Sequence, residues 1–436
     1  MTTTGDPADR ARPCGCPGPS LSRRRFLAGV AGATGAMTAA SLFGDTFRQV
    51  AYGAAPGGNV VVVLSMRGGS DGLSILVPRG ADHDYLSTMR PGIVVPEGAL
   101  LGADSRFGLH PSLAPLLPMW DAGTFGAVHG VGLPAPNRSH FDAMEEVERA
   151  HPGSSARVGW INRVVGLAPD ARPEEQVQLG DSMLPTALAG PAPALGANEV
   201  TGFRLPTLDW LESDAQVSAS LSAAWAGGRT PLSAAVDTAL SAVDRLSVVS
   251  STTDEQMSAA KATYPDGPLQ SVLANTALLI KADIGARVVT IDYGDWDMHT
   301  GLGSTSLAAD EWMVSHLDHF AGSLARFFED LGPHAARVTV VTLSEFGRRV
   351  EENGDHGVDH GYGNAMLLLG AGVDGGAVRG RWQPLSDASL NEGDVPLSQD
   401  YRSVLAEVMV SRFGLSGGQL DTVFPGFAPE AVGAMH

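Results

Sequence analysis

Four short segments of this chain carry carboxylates and imidazoles at spacings that suit a divalent metal. They are Arg67-Gly68-Gly69-Ser70-Asp71-Gly72-Leu73-Ser74, Asp295-Trp296-Asp297-Met298-His299, Ser344-Glu345-Phe346-Gly347-Arg348-Arg349 and Asp355-His356-Gly357-Val358-Asp359-His360. Carboxylate oxygen and imidazole nitrogen are the common ligands of zinc and similar ions. A single Asp–His pair is more simply a capped loop or a surface carboxylate. Here the pairs recur just after successive apolar runs, which points to one site. Asp71, Asp297, His299, Glu345, Asp359 and His360 are the expected ligands of one or two divalent ions, zinc among the candidates. Glu345 has a second reading, as the partner of Arg348 or Arg349 in a structural salt bridge.

An ion in such a site supplies Lewis acidity, and an ester hydrolase needs a nucleophile as well. Ser74 is one candidate, since a helix could start after the glycine-rich turn and hold an anion at its N–H groups. Ser70 is another, although serine is common in turns for conformational reasons alone. Water activated by the metal, with no protein nucleophile, is the third. Arg67 or Arg348 would stabilise charge on the equatorial oxygens. His140 lies in Asn137-Arg138-Ser139-His140-Phe141-Asp142, a segment that reads as a helix start with Ser139 as its cap. It would serve as acid, base or partner to a ligand.

These segments need a frame that delivers them to one place. Asn59–Met66, Phe125–Val131, Arg287–Tyr293 and Arg337–Leu343 are nearly continuous apolar runs, as in strands buried on both faces of a parallel sheet; Met366–Leu369 is a shorter one. Between them, apolar residues at Met313, Leu317, Phe320, Leu324, Phe327 and Leu331 predict a helix over 307–331. Leu269–Ile284 and Ser403–Phe413 read as helices too. The alternation predicts an α/β three-layer sandwich with a mostly parallel central sheet, and ligands in such folds gather beyond the carboxyl ends of strands. Residues about 205–265 carry few strand signals and read as a helical insertion, a candidate lid. No linker divides the remainder, so 56–436 is expected to be one domain.

The N-terminus is set apart. Ser22-Arg23-Arg24-Arg25-Phe26-Leu27 has the pattern of a twin-arginine export signal, followed by a weakly apolar run to Phe43 and small residues at Ala51, Gly53, Ala54 and Ala55. Residues 1–55 are therefore expected to be a signal peptide read by the twin-arginine machinery, placing the mature chain outside the cytoplasm. The apolar run is too short and too rich in Ala and Gly for a stable membrane span after cleavage. Residues 1–55 hold six Arg and three Asp, so the mature chain has 23 basic and 45 acidic side chains, a net charge of −22. Such a surface argues against nucleic acid as a partner. It also disfavours a small anionic ester unless a metal or Arg cluster reverses the local field. Cys14 and Cys16 both precede the twin arginines, so the mature chain has no disulfide and no thiolate chemistry.

The segments RGGSDGLSILVP (67–78), RSHFDAMEEVE (138–148), GDWDMH (294–299), SEFGRRVEENG (344–354), DHGYGN (359–364) and DYRSVLAEV (400–408) together resemble the family catalogued as domain of unknown function 1501. That family is grouped by likeness with the alkaline phosphatase and sulfatase superfamily. The resemblance implies an alkaline-phosphatase-like sandwich with a binuclear metal site at its strand ends. It implies Asp297 and His299 as ligands of one metal, and Asp359 and His360 as the later Asp/His pair. Glu345 stands where many relatives have an Asp-His pair, and Asp71 resembles a first-strand carboxylate placed several residues late. Relatives carry a Ser, Thr or modified Cys at a helix start; Ser70 and Ser74 are what this chain offers, and it lacks the [CS]-x-P-x-R setting of the formylglycine sulfatases. Two functions follow: an exported metal-dependent hydrolase of phosphate or sulfate esters, or a non-catalytic extracytoplasmic binding or assembly protein on the same fold. N-terminal sequencing of exported protein is expected to start at about residues 52–58. Replacing Arg23 and Arg24 by Lys is expected to leave precursor in the cytoplasm, and a start at Met1 outside it would refute the signal.

Overall fold

Val60–Met66 (β1) is buried along its whole length, and its alternating side chains serve two separate cores. Val60, Val62, Leu64 and Met66 enter one hydrophobic cluster, Val61 and Val63 the other. A strand with apolar side chains on both faces requires cover on both faces. The structure, a computed structural model, describes residues 57–102, 104–205, 214–228, 230–303 and 305–436. The expected export signal lies outside the described residues.

The remaining strands are β2 (Leu76–Pro78), β3 (Phe107–Leu109), β4 (Phe125–Gly132), β5 (Gln176–Leu179), β6 (Leu195–Ala197), β7 (Val288–Tyr293), β8 (Val338–Leu343), β9 (Asn364–Gly370), β10 (Val378–Arg379) and β11 (Gln399–Asp400). One nine-stranded sheet runs in the order β10-β4-β9-β8-β1-β7-β5-β6, with β11 beside β4; β2 and β3 make a separate pair. Every pairing in the large sheet is parallel except those of β9, which is antiparallel to both β4 and β8. Helices Pro268–Lys281 and Trp312–Leu331 pack into the first core, and His140–Arg149, Trp160–Val165 and Tyr401–Phe413 into the second. The result is a three-layer α/β sandwich with a mostly parallel sheet.

Four elements differ from the sequence reading. The helix expected from residue 307 begins at Trp312, because Leu307 takes a φ of 55° and Glu311 is extended as the N-cap. The strand at 366–369 extends over Asn364–Gly370 and runs against its neighbours. Strands β5 and β6 lengthen the far edge of the sheet. The side chains of Gln176 and Gln178 hide β5 in the sequence. They are buried yet partnered on at least one end, Gln176 Nε2 donating to the Pro193 carbonyl at 2.7 Å and Gln178 Oε1 accepting from Thr290 at 2.5 Å. Residues 214–261 form three helices, one of which, Pro231–Ser250, is tied to the edge of the sheet by Arg245 on buried Glu174.

This topology fixes where the polar segments fall. The carboxyl ends of β1, β4, β7 and β8 share one edge of the sheet. Since β9 is reversed, its amino end reaches the same edge, bringing residues 359–363 with it.

The glycine-rich loop after β1 does not present Asp71, Ser70 or Ser74 there. Asp71 is the buried N-cap of a single turn, Gly72–Ile75, all of whose residues are buried. Its carboxylate accepts from Arg90 Nη1 at 2.5 Å, Arg90 Nη2 at 3.0 Å and Ser74 Oγ at 2.5 Å. Burial alone would raise the Asp71 pKa, but the Arg90 charge and these hydrogen bonds hold it below the ordinary value. Arg90 also donates to the carbonyls of Val350 and Arg349, at 2.8 and 2.6 Å. Ser70 Oγ, equally buried, accepts from Asn364 Nδ2 at 3.1 Å. The expectation that Asp71 joins the metal ligands, and that a helix start exposes Ser74, is therefore corrected: this loop is a structural lock. Arg90→Met is expected to leave the Asp71 charge buried without a partner and to cost about 3–5 kcal/mol, read by chemical denaturation. A loss under about 1 kcal/mol would show that the lock is unimportant.

Candidate functional site

Ser139 caps helix His140–Arg149, accepting from the Asp142 N–H at 3.4 Å, and so places His140 on the first turn at the sheet edge. The loop after β7 brings Asp297 and His299. The stretch leading into β9 brings Asp359 and His360, and the end of β8 brings Glu345 and Arg348.

Four donor atoms converge. His360 Nε2 lies 2.9 Å from His140 Nε2, 3.0 Å from His299 Nε2 and 3.1 Å from Asp297 Oδ1. Asp297 Oδ1 is also 3.0 Å from His299 Nε2 and 3.4 Å from His140 Nε2. The donors of His140, Asp297 and His360 all lie within 4.8 Å of one another, the arrangement of a group able to hold a metal. Donors round a tetrahedral ion at Zn–N distances of about 2.0–2.1 Å stand roughly 3.3 Å apart.

The far side of each imidazole settles what its Nε2 can do. His360 Nδ1 is 2.9 Å from the Arg138 carbonyl, which only accepts. His140 Nδ1 is 2.8 Å from Glu345 Oε1, and His299 Nδ1 is 2.8 Å from Asp359 Oδ1. With the three rings neutral, each Nδ1, assigned from these partners, carries the proton and each Nε2 presents a lone pair. Three lone pairs and a carboxylate oxygen therefore face one another within hydrogen-bonding distance. Acceptors alone repel at that range, so a cation at their centre fits the set.

The supports differ in depth: Glu345 is buried, whereas Asp359 is exposed. Glu345 Oε1 also accepts from the Gly68 N–H at 2.8 Å. The salt bridge considered for Glu345 does not form with Arg348 or Arg349 among the described residues; it stands behind His140. Asp359 accepts from Asn353 Nδ2 at 3.1 Å, and the same amide holds the His299 carbonyl at 2.8 Å. Hydrogen bonds from His299 and Asn353 keep the Asp359 carboxyl below its usual range. Burial would raise Asp297, but Arg348 and His360 hold it at about 2. Burial lowers His360, which favours its neutral, metal-binding form.

Arg348 has no exposed side-chain surface. It donates to Gly69 O at 2.6 Å, Val358 O at 2.9 Å, Trp296 O at 3.1 Å and Asp297 Oδ1 at 2.8 Å, and also to Gly68 O. A role on substrate charge is thus corrected to one within the scaffold. Gly68 has a φ of 116°, and a Cβ there would sit 2.6 Å from the Asp297 nitrogen.

A cleft of about 590 Å³ opens on the cluster, with Arg67, His140, Phe141, Met144, Glu145, Glu148, Thr186, Asp295, Asp297 and Glu345 in its wall. Arg67 is there, bonded to Glu148 Oε1 at 2.7 Å and Asp292 Oδ1 at 2.9 Å. Ser70 and Ser74 are absent from the wall. None of the described residues of the 205–265 insertion lines it, so the lid expectation is not met there.

The sequence model of the family described as "Protein of unknown function (DUF1501)" matches residues 125–396. The chain belongs to that family. The matched stretch contains all four converging donors, Glu345, Asp359 and Arg348, and leaves out the loop with Asp71 and Ser74. A search of curated proteins finds no match. Among solved structures, the chain is similar to an alkaline phosphatase from the Antarctic bacterium TAB5. The likeness covers 73% of this chain and 93% of that one, at 11% identity and a TM-score of 0.27, too slight to argue from.

Two features lay beyond the sequence reading: the Arg138 carbonyl behind His360, and the place of His140 within the group able to hold a metal. Position on a helix start was the signal for His140, since a helix start at the sheet edge points its first side chain across the strand ends. Glu345→Gln is expected to lower divalent-ion affinity 10–100-fold, measured by chelator competition. Unchanged affinity would show that Glu345 does not orient His140.

Proposed function

We propose that this protein is an exported metal-dependent hydrolase of phosphate or sulfate esters that holds one divalent ion, zinc being the best fit, and uses water as its nucleophile. The observation that carries the reading is the convergence of three imidazole nitrogens and Asp297 Oδ1 beside a cleft that His140 and Asp297 line. The ion supplies Lewis acidity: it makes water more acidic and draws the anionic oxygens of the ester toward itself. His140, His299 and His360 would hold it, each oriented by Glu345, Asp359 or the Arg138 carbonyl. Asp297, kept ionised by Arg348, would complete the set. Among the described residues one such group of donors is found, which favours one ion over two.

Water is preferred over a side chain because the serines are engaged elsewhere. Ser74 donates to Asp71 inside the protein, and Ser70 is buried against Asn364. Thr186 supplies a hydroxyl to the cleft wall, but among the described residues no imidazole or carboxylate is hydrogen-bonded to it to act as its base. Products are then the free alcohol and the phosphate or sulfate anion. The twin-arginine pattern at 22–27 supports export, and no helix of the described residues is long and apolar enough to cross a membrane. A non-catalytic binding protein would use the same ion and the same cleft without turnover.

Metal analysis of protein from its native compartment is expected to find about one ion per chain. His299→Ala should remove both the ion and turnover of an aryl phosphate or sulfate, whereas Ser74→Ala should leave turnover within about threefold. Loss of several orders of magnitude in Ser74→Ala with the ion retained would restore a serine nucleophile. No turnover of either ester by the loaded wild type would favour the binding protein.

A further inference from the structure

The wall of the cleft is charged with the wrong sign for a plain anion. Beyond the metal-directed groups it carries Glu145, Glu148 and Asp295, against Arg67. Arg67 is already neutralised, by Glu148 on one side and Asp292 on the other. Arg149, which does not line the cleft, approaches Glu145 only to 3.7 Å. Asp295 is exposed and, among the described residues, its carboxylate has no hydrogen bond or ion pair; its backbone sits at a φ of 66°, a conformation uncommon outside glycine. In the wall of the same cleft the Phe141 ring is 90% exposed, on the turn that also places His140. A bare dianionic ester in this cleft would lie against carboxylates as well as against the metal-directed His140 and Asp297.

We infer that the substrate is zwitterionic: a phosphate or sulfate ester whose alcohol part carries an ammonium group, with the anion on the metal and the cation held by Asp295, Glu145 and the Phe141 ring. The inference rests on the metal site of the proposed function and adds the chemistry of the leaving alcohol. Carboxylates reward a cation by direct attraction, and an aromatic face rewards a quaternary ammonium through its quadrupole. Glu148 is committed to Arg67 and shapes the wall. The hydrolysis itself is unchanged: water adds to phosphorus or sulfur, the ester P–O or S–O bond breaks, and the amino alcohol leaves with a proton from water.

The test compares two ligands of the same size and shape that differ only in the charge of the organic end. Phosphocholine and 3,3-dimethylbutyl phosphate are titrated into the metal-loaded, full-length mature protein by calorimetry, with choline sulfate in a parallel arm to tell phosphate from sulfate. Phosphocholine or choline sulfate is expected to bind at least about tenfold more tightly than the neutral isostere, corresponding to about 1.4 kcal/mol. In Asp295→Asn the preference should fall at least about fivefold, and in Glu145→Gln in the same direction, with metal content confirming that the site is intact. Equal affinity for the charged and neutral ligands overturns the inference, as does failure of all three to bind. A tenfold preference without turnover of any ester would sustain the ammonium subsite and sink the hydrolase reading.

Discussion

One buried guanidinium holds the functional edge together. Arg348 reaches the loop after β1 through Gly68 and Gly69, the loop after β7 through Trp296 and Asp297, and the approach to β9 through Val358. A charge so deep needs its field spread over several dipoles, and four carbonyls with one carboxylate provide that. Lysine could not satisfy this planar fork. Because the acceptors belong to three separate segments, their satisfaction is also what sets the distance between Asp297 and His360. The close approach of Gly68 to the Asp297 nitrogen is the steric counterpart of the same knot. The edge is therefore braced on the protein side, with His140 and Asp297 held by the buried Glu345 and Arg348.

Much of the frame was legible in the chain. Runs such as Val60–Met66 and Val338–Leu343 can only be strands with apolar cover on both faces, and the six apolar positions from Met313 to Leu331 name the face of their helix. The site was legible in residue type: Asp297, His299, Asp359 and His360 do come together, at the sheet edge where strand-end logic puts them. What failed has physical causes. Asp71 and Ser74 have the right types at a strand end, but the Arg90 that consumes them lies 19 residues from Asp71 in sequence and no local pattern announces the pairing. Glu345 stands next to arginines in sequence yet turns to a histidine 205 residues away. Polar β5 is a strand because its amides find partners, which only the assembled sheet reveals.

The reversed strand explains why a chain with one antiparallel member can build this site. Had β9 run parallel, His360 would have arrived at the opposite edge of the sheet. Instead the connection from β8 makes an excursion over the edge, delivers Glu345, Arg348, Asp359 and His360 in one pass, and descends as β9 between β8 and β4. Phe346, on the same excursion, packs against both His140 and His360 from the side.

The four donors stand at positions 140, 297, 299 and 360, so no subset of contiguous chain can assemble them. The set exists only when β4, β7, β8 and β9 are all in place, which makes its formation one of the last, most non-local events of folding. Ion affinity is then folding affinity: a partly folded chain has no site to fill, and a filled site resists unfolding as a whole. If the chain is exported already folded, as the proposed function would have it, the choice of ion would be made in the cytoplasm, from the metals buffered there, and carried across as a fixed property of the cargo.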